Sequence, residues 1–286
     1  MISEFHKQMI AEELKQFCNQ YKNKEDAFNA VEGVSQQCLR KILDKNWKGV
    51  KEEVWLKIKG QIAFDVDEWQ VVTTRDYKIL SSILNDAQLY SSVFAIVGEA
   101  GTGKSVSLKA YVADNEYAYL LQCADHWNRK QFLVALLKEL KLDWSGLTVN
   151  DMIHLAVDHL KQQKNPLILF DEADKLSDQS LYFFITLYNY LEDHCGLVMI
   201  ATNHLKKRLQ KGLHLNKKGY KEIYSRIGRK FIELNGVELK DVTAICIANG
   251  IEDRKVIREI WEGSENDLRR VKRMIHAKKM QQKSAA

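Results

Sequence analysis

The segment Gly98-Glu99-Ala100-Gly101-Thr102-Gly103-Lys104-Ser105 matches the pattern GxxxxGK[ST], and it constrains the fold more than any other feature of the chain. It follows an apolar run, Val93–Val97, and opens onto a stretch with helical character from Lys104 onward. In that strand–loop–helix setting the glycines let the backbone wrap a phosphate chain, so that its N–H groups and the helix N-terminus face the anion. Lys104 is expected to reach the β and γ phosphates of ATP, and the Ser105 hydroxyl to bind Mg2+. Such a loop needs a sheet behind it, and the chain supplies further short apolar runs at residues 119–123, 167–170, 197–201 and 230–234. Runs apolar on both faces suit parallel strands covered by helices. Helical periodicity fills the gaps, as in Phe132, Leu133, Leu136, Leu137 and Leu140, and Thr148 with Asp151 makes a capping-box start for a second helix.

The run Leu167-Ile-Leu-Phe-Asp171-Glu172 places two carboxylates at the C-terminal end of an apolar strand, where doubly wound sheets bind ligands. Asp171 is placed to hold Mg2+ with Ser105, partly through water, and Glu172 to orient and polarise the attacking water. Together the two motifs point to hydrolysis of ATP to ADP and phosphate.

With both motifs in this order, residues 69–280 resemble the AAA+ ATPases. The resemblance implies a P-loop α/β fold, a five-stranded parallel sheet with helices on both faces, closed by a C-terminal helical lid. It also implies roles for single residues. Asn203 is similar to the sensor 1 residue that helps position the water beside Glu172, although taken alone it reads as a strand-end cap. Ser225-Arg226-Ile227 is similar to box VII, which makes Arg226 the arginine finger, with Arg229 as the alternative. Asn266-Asp267-Leu268-Arg269-Arg270 resembles sensor 2, and its Asp-Leu-Arg core assigns Arg269 rather than Arg270 to the γ-phosphate; two surface arginines are the other reading. An arginine finger serves a neighbour's nucleotide, so the resemblance implies a homo-oligomer.

Three segments are expected: a helical domain over residues 1–64, the α/β core over 65–236 and the lid over 237–286. The first has apolar positions Phe5, Met9, Ile10, Leu14 and Phe17 at helical spacing, then short helices at 26–31 and 35–43. Residues 26–42 resemble a Cro/repressor-like helix-turn-helix, with Gly33 at the turn, Ser35 as cap, and Leu39 and Ile42 facing inward. Gln36, Gln37, Arg40 and Lys41 would then face DNA. The position four before Gly33, usually alanine in that family, is Asn29, and a helical protein-interaction module is the other reading.

Charge is uneven. Residues 204–286 hold 21 Lys plus Arg against 10 Asp plus Glu, whereas residues 65–203 hold 11 against 19. A basic end favours a polyanionic partner, because neutralising phosphates releases counterions; solvated helix faces are the plainer reading. Lys206, Lys207, Arg208, Lys211, Lys217 and Lys218 lie in a stretch without obvious acidic partners and suit phosphate contact without base readout. The five cysteines form no CxxC pair, which points to free thiols and no zinc site. No apolar run approaches the roughly 20 residues of a membrane span, and Glu4 and His6 stand where a signal peptide is apolar, so a cytoplasmic protein without a membrane partner is expected.

Domain order, size and residues 67–105, with the lead-in Thr73-Thr74-Arg75, resemble the target-selector ATPases of transposons, the family of the phage Mu B transposition protein. That resemblance implies ATP-dependent polymerisation on double-stranded DNA with little sequence preference, formation of a helical filament, capture of target DNA and stimulation of a transposase. Replication-initiator and helicase-loader ATPases share the same motifs. A nucleotide-switched transcriptional regulator is a reading of another class, and Glu172 counts against a site that only senses nucleotide.

Overall fold

The structure, a computed structural model, describes residues 23–62 and 69–285, and before them residues 7, 10, 11, 14, 15, 17, 18 and 21. Phe5 and Met9 of the first helical pattern, and the boundary expected between residues 64 and 65, lie outside the described residues. The chain divides into two units, Met1–Gln70 and Val71–Ala286.

In the first unit, helix α1 (Lys24–Asn29) is capped by the Asn23 side chain, which accepts from the Asp26 amide. Glu25 and Asp26 in its first turn suit a helix N-terminus, and together these residues start the helix two positions before the expected one. Gly33 occupies the turn at φ +67°. Ser35 caps α2 (Gln36–Leu43), accepting from the Cys38 amide at 3.3 Å. Leu39 and Ile42 of α2 are buried, packing with Phe28, Val31 and with Trp55 and Ile58 of α3 (Glu52–Ile62). Gln36, Gln37, Arg40 and Lys41 are exposed. Asn29, the departure in the turn pattern, accepts a hydrogen bond from Gln36 Nε2 at 2.8 Å.

The second unit contains five parallel strands, β1 (Val93–Val97), β2 (Ala118–Gln122), β3 (Leu167–Asp171), β4 (Gly196–Ala201) and β5 (Ile232–Glu233), in the order β2-β3-β4-β1-β5. Helix α4 (Arg75–Leu89) precedes β1, and between the strands run α5 (Lys104–Asp114), α6 (Arg129–Glu139), α7 (Val149–Lys161), α8 (Asp178–Leu191), α9 (Asn203–His214) and α10 (Tyr220–Arg226). Then come α11 (Leu239–Ala248), α12 (Arg254–Ser264) and α13 (Leu268–Ala285). Successive strand residues point to opposite faces. Ile168, Phe170, Leu197 and Met199 pack with α6, α7 and α8 on one side. Leu167, Leu169, Val198 and Ile200 pack with Leu80 and Leu84 of α4 and Leu108 of α5 on the other. This is the expected α/β fold, a five-stranded parallel sheet covered on both faces.

Two strands differ from expectation. β2 starts and ends one residue early, because Ala118 already pairs with Leu167. β5 keeps only two of the five expected residues: at the sheet edge, its ladder with β1 joins Ile232 to Ile96 and Glu233 to Val97 and goes no further. The capping box of α7 is present as expected, with Thr148 and Asp151 bonded in both directions. Asp76, buried at the start of α4, accepts from the Asn235 amide at 3.0 Å and the Gly236 amide at 2.8 Å, anchoring the chain where it leaves the sheet for α11. Among the described residues, no helix is long and apolar enough to cross a membrane.

Candidate nucleotide-binding site

The strand order sets β1, β3 and β4 side by side, so the loops leaving their C-terminal ends meet. Residues 98–105 leave β1, with the Gly98 amide bonded to Ala201 O at the end of β4. Helix α5 begins at Lys104 with no side chain capping its first turn, so its amides face the loop interior. Lys104 Nζ donates to Gly98 O at 2.8 Å and to Glu99 O at 2.6 Å, and Thr102 Oγ1 donates to Glu99 O at 3.0 Å. Burial pushes the Lys104 ammonium below its ordinary pKa, against the pull of Asp171, Asp174 and Glu99, and the nearby Arg269 adds to the lowering.

At the end of β3, Asp171 Oδ2 accepts from Ser105 Oγ at 2.6 Å. Burial raises the Asp171 carboxyl above its usual range despite the hydrogen bonds from Ser105 and from the Glu172 amide. Glu172 follows at φ +55°, an uncommon conformation for a non-glycine residue and a form of strain that recurs at functional sites. Its carboxylate is held at 2.7 Å by Lys175, three residues on, and that bond raises the lysine's pKa. Asn203, the first residue of α9, donates from Nδ2 to Glu99 Oε1 at 2.6 Å. Its neighbour Thr202 donates to Asp174 Oδ2, also at 2.6 Å.

The last helix closes over the same loop. The Leu268 amide donates to Gly101 O at 2.8 Å. Gly101 sits at φ +80°, and a methyl group there would overlap the Asp267 carboxylate, so both conformation and space demand glycine. The two candidate arginines part company here. Arg269 is exposed and close enough to depress Lys104, whereas Arg270 is paired with Glu265 at 2.6 Å.

Gly98, Glu99, Ala100, Gly101, Thr102, Gly103, Lys104, Ser105, Asp171, Glu172, Asn203 and Arg269 therefore belong to one cluster. Arg226 does not join it. At the end of α10 its guanidinium donates to Asn189 Oδ1 at 3.0 Å and lies over the Tyr188 ring, while its Nε is buried without a partner. Lys175, Asp174 and Thr202 were not singled out by sequence; Lys175 and Asp174 carried a signal in their closeness to Glu172.

The basic stretch needs correction. Arg208 is no surface cation: its guanidinium donates to Leu176 O at 2.6 Å, to Asp178 and to the Tyr220 hydroxyl. Hydrogen bonds involving charged groups contribute about 1.5–3 kcal/mol each, so moving Arg208 onto a phosphate would forfeit several at once. Lys206 is paired with Glu233 at 2.6 Å, and Lys217 lies 3.7 Å from Asp178, so both have acidic partners after all. Lys207, Lys211 and Lys218 are exposed. Gln36, Gln37, Arg40 and Lys41 lie in the first unit, where Gln36 is bonded to Asn29 and Arg40 lies 3.7 Å from Glu25.

Residues 87–209 match the AAA domain family. The AAA domain match takes in the loop at residues 98–105, Asp171, Glu172 and Asn203, and ends within α9, before Arg226 and Arg269. No curated protein matches the chain. Among solved structures, the Hsp104–ADP complex of S. cerevisiae is similar at a TM-score of 0.44 and 12% identity, over 94% of this chain and 58% of that one. The chain thus spans less than two thirds of the length of that structure.

The donor set beside this loop fits Mg2+. A hydroxyl and a carboxylate already in contact at 2.6 Å, Ser105 and Asp171, are the hard oxygen ligands such an ion takes alongside water and phosphate.

Proposed function

We propose that this AAA domain hydrolyses ATP and couples that reaction to double-stranded DNA, as in the transposon target selectors it resembles. The observation that carries the reading is the convergence on one phosphate loop of Lys104, the Ser105–Asp171 contact, the strained Glu172 and Asn203. Lys104, turned from its two carbonyls, neutralises charge on the β and γ phosphates. Mg2+, when bound through Ser105 and Asp171, supplies the Lewis acidity that phosphoryl transfer requires. Glu172, released from Lys175, orients the water. Asn203, released from Glu99, fixes the geometry beside it. Arg269 from the lid and Arg226 from a second copy complete the charge neutralisation.

DNA contact falls to Lys207, Lys211 and Lys218, which are exposed and free to track phosphates without reading bases. In the first unit, the two helices joined by the Gly33 turn, with Gln37 and Lys41 outward, support a second DNA-facing surface. Electron microscopy of the full chain with duplex DNA and a non-hydrolysable ATP analogue tests the reading. Helical filaments that need both ligands are expected; DNA left bare, or discrete rings formed without it, overturns the target-selector assignment.

A further inference from the structure

Arg208 lies in a lysine-rich stretch, yet its planar guanidinium is spent on four partners inside the second unit. Nη1 donates to Asp174 O at 3.4 Å and Leu176 O at 2.6 Å, Nη2 to the Asp178 carboxylate, and Nε to the Tyr220 hydroxyl at 3.2 Å. The Tyr220 hydroxyl donates in turn to Asp178 at 2.8 Å, closing a ring of three side chains. Burial alone would lift the Asp178 carboxyl; the bonds from Arg208 and Tyr220 outweigh it and hold the group below its ordinary pKa.

These partners sit at particular places. Asp174 and Leu176 belong to the turn that begins at Glu172. Asp178 is the first residue of α8, and Tyr220 the first of α10. The Tyr220 ring lies so close on Gly212 of α9 that any Cβ there would overlap it. Arg226 is the last residue of α10, held at the other end of α8 by Asn189 and Tyr188. Helix α10 is therefore pinned to α8 at both ends, and the pin nearer the site also grips the turn beyond Glu172. A fork of five N–H donors in one plane can hold such a set together; an ammonium cannot.

We propose that Arg208 is a positioning residue for Arg226: it registers α10 against the turn that follows Glu172, so that the arginine offered to a neighbouring copy is set by the state of the copy that carries it. The inference rests on the ATPase reading above and goes beyond it in naming what links two sites. The chain of contacts supplies a route, and coupling must be measured to establish it.

The test is a double-mutant cycle on the full chain with duplex DNA, measuring MgATP hydrolysis and, separately, affinity for a fluorescent ATP analogue. Arg208→Lys is expected to lower kcat roughly tenfold while KM and analogue affinity stay within about twofold. Combined with Arg226→Ala it should cost nothing more than Arg226→Ala alone. Losses that multiply, or a loss confined to KM, overturn the inference and leave the ATPase reading standing. A silent Arg226→Ala removes the arginine's role and the inference with it, whereas a wild-type protein without turnover sinks the ATPase reading itself. Should Arg208→Lys fail to fold, Tyr220→Phe keeps the ring on Gly212 and deletes only the hydroxyl: a reduced kcat that vanishes in the Arg226→Ala background supports the inference, and an unchanged kcat overturns it.

Discussion

Glu172 and Lys104 separate binding from chemistry at the level of single side chains. Lys104 carries the positive charge next to Gly98 O and Glu99 O, where the phosphates would lie, so Lys104→Ala should lose both ATP affinity and turnover. The Glu172 carboxylate is held by Lys175, so Glu172→Gln should bind ATP normally and lose turnover by roughly 10²–10⁴-fold, the usual contribution of a positioned general base. Turnover near wild type in Glu172→Gln would assign the water to another group. The loop and the β3 carboxylates were legible because each is a contiguous run, whereas Asn203 and Arg269 entered through the resemblance. Arg208 was not legible. Its partners Asp178 and Tyr220 are 30 and 12 positions away, and nothing local marks a half-buried, internally bonded arginine within a run of lysines.

Among the elements, α9 carries Lys206, Lys207, Arg208 and Lys211 of the expected phosphate contacts, and Lys217 and Lys218 follow it before α10. Lys206, Arg208 and Lys217 have partners within the chain, which leaves Lys207, Lys211 and Lys218. Each phosphate contact adds roughly 0.9 to the log–log salt slope of DNA binding, so Lys207→Ala with Lys211→Ala should flatten that slope by about two units on every duplex. Lys206→Ala, measured by the same titration, should change it less. An unaltered slope in the double variant would place the DNA surface off α9. The helices themselves were readable where caps and periodicity agreed, as with Thr148 and Asp151 of α7. β5 was overread, because an apolar run shows which residues could pair and not how far a partner strand extends.

For the whole molecule, the position of Arg226 decides whether a lone chain can work. The guanidinium lies on α10, and among the described residues its hydrogen bonds reach Asn189 and Glu222 and never the phosphate loop. On the function proposed above, one copy's site is completed by another's arginine. Arg226→Ala subunits, strongly impaired, and Lys104→Ala subunits, inactive, should regain part of the turnover when mixed, because some interfaces pair an intact phosphate loop with an intact arginine. Absence of rescue at every mixing ratio would confine Arg226 to a role within its own chain. That one copy serves another is implied by the sequence resemblance alone, since strand order and helix packing say which surfaces meet inside a chain and not between chains.

Asn203 and the exposed lysines of α9 share one uninterrupted helix of 12 residues, roughly 18 Å long at 1.5 Å per residue. Its first residue touches the phosphate loop, and Lys207 and Lys211 follow one and two turns later on the solvent side. Whatever free energy nucleotide contributes to the grip on a polyanion by moving Asn203 must return undiminished when the polyanion binds first. On the function proposed above, DNA is an effector of the ATP site by the same factor that ATP is an effector of DNA binding, and the two affinities form a single coupling constant read from opposite ends of α9.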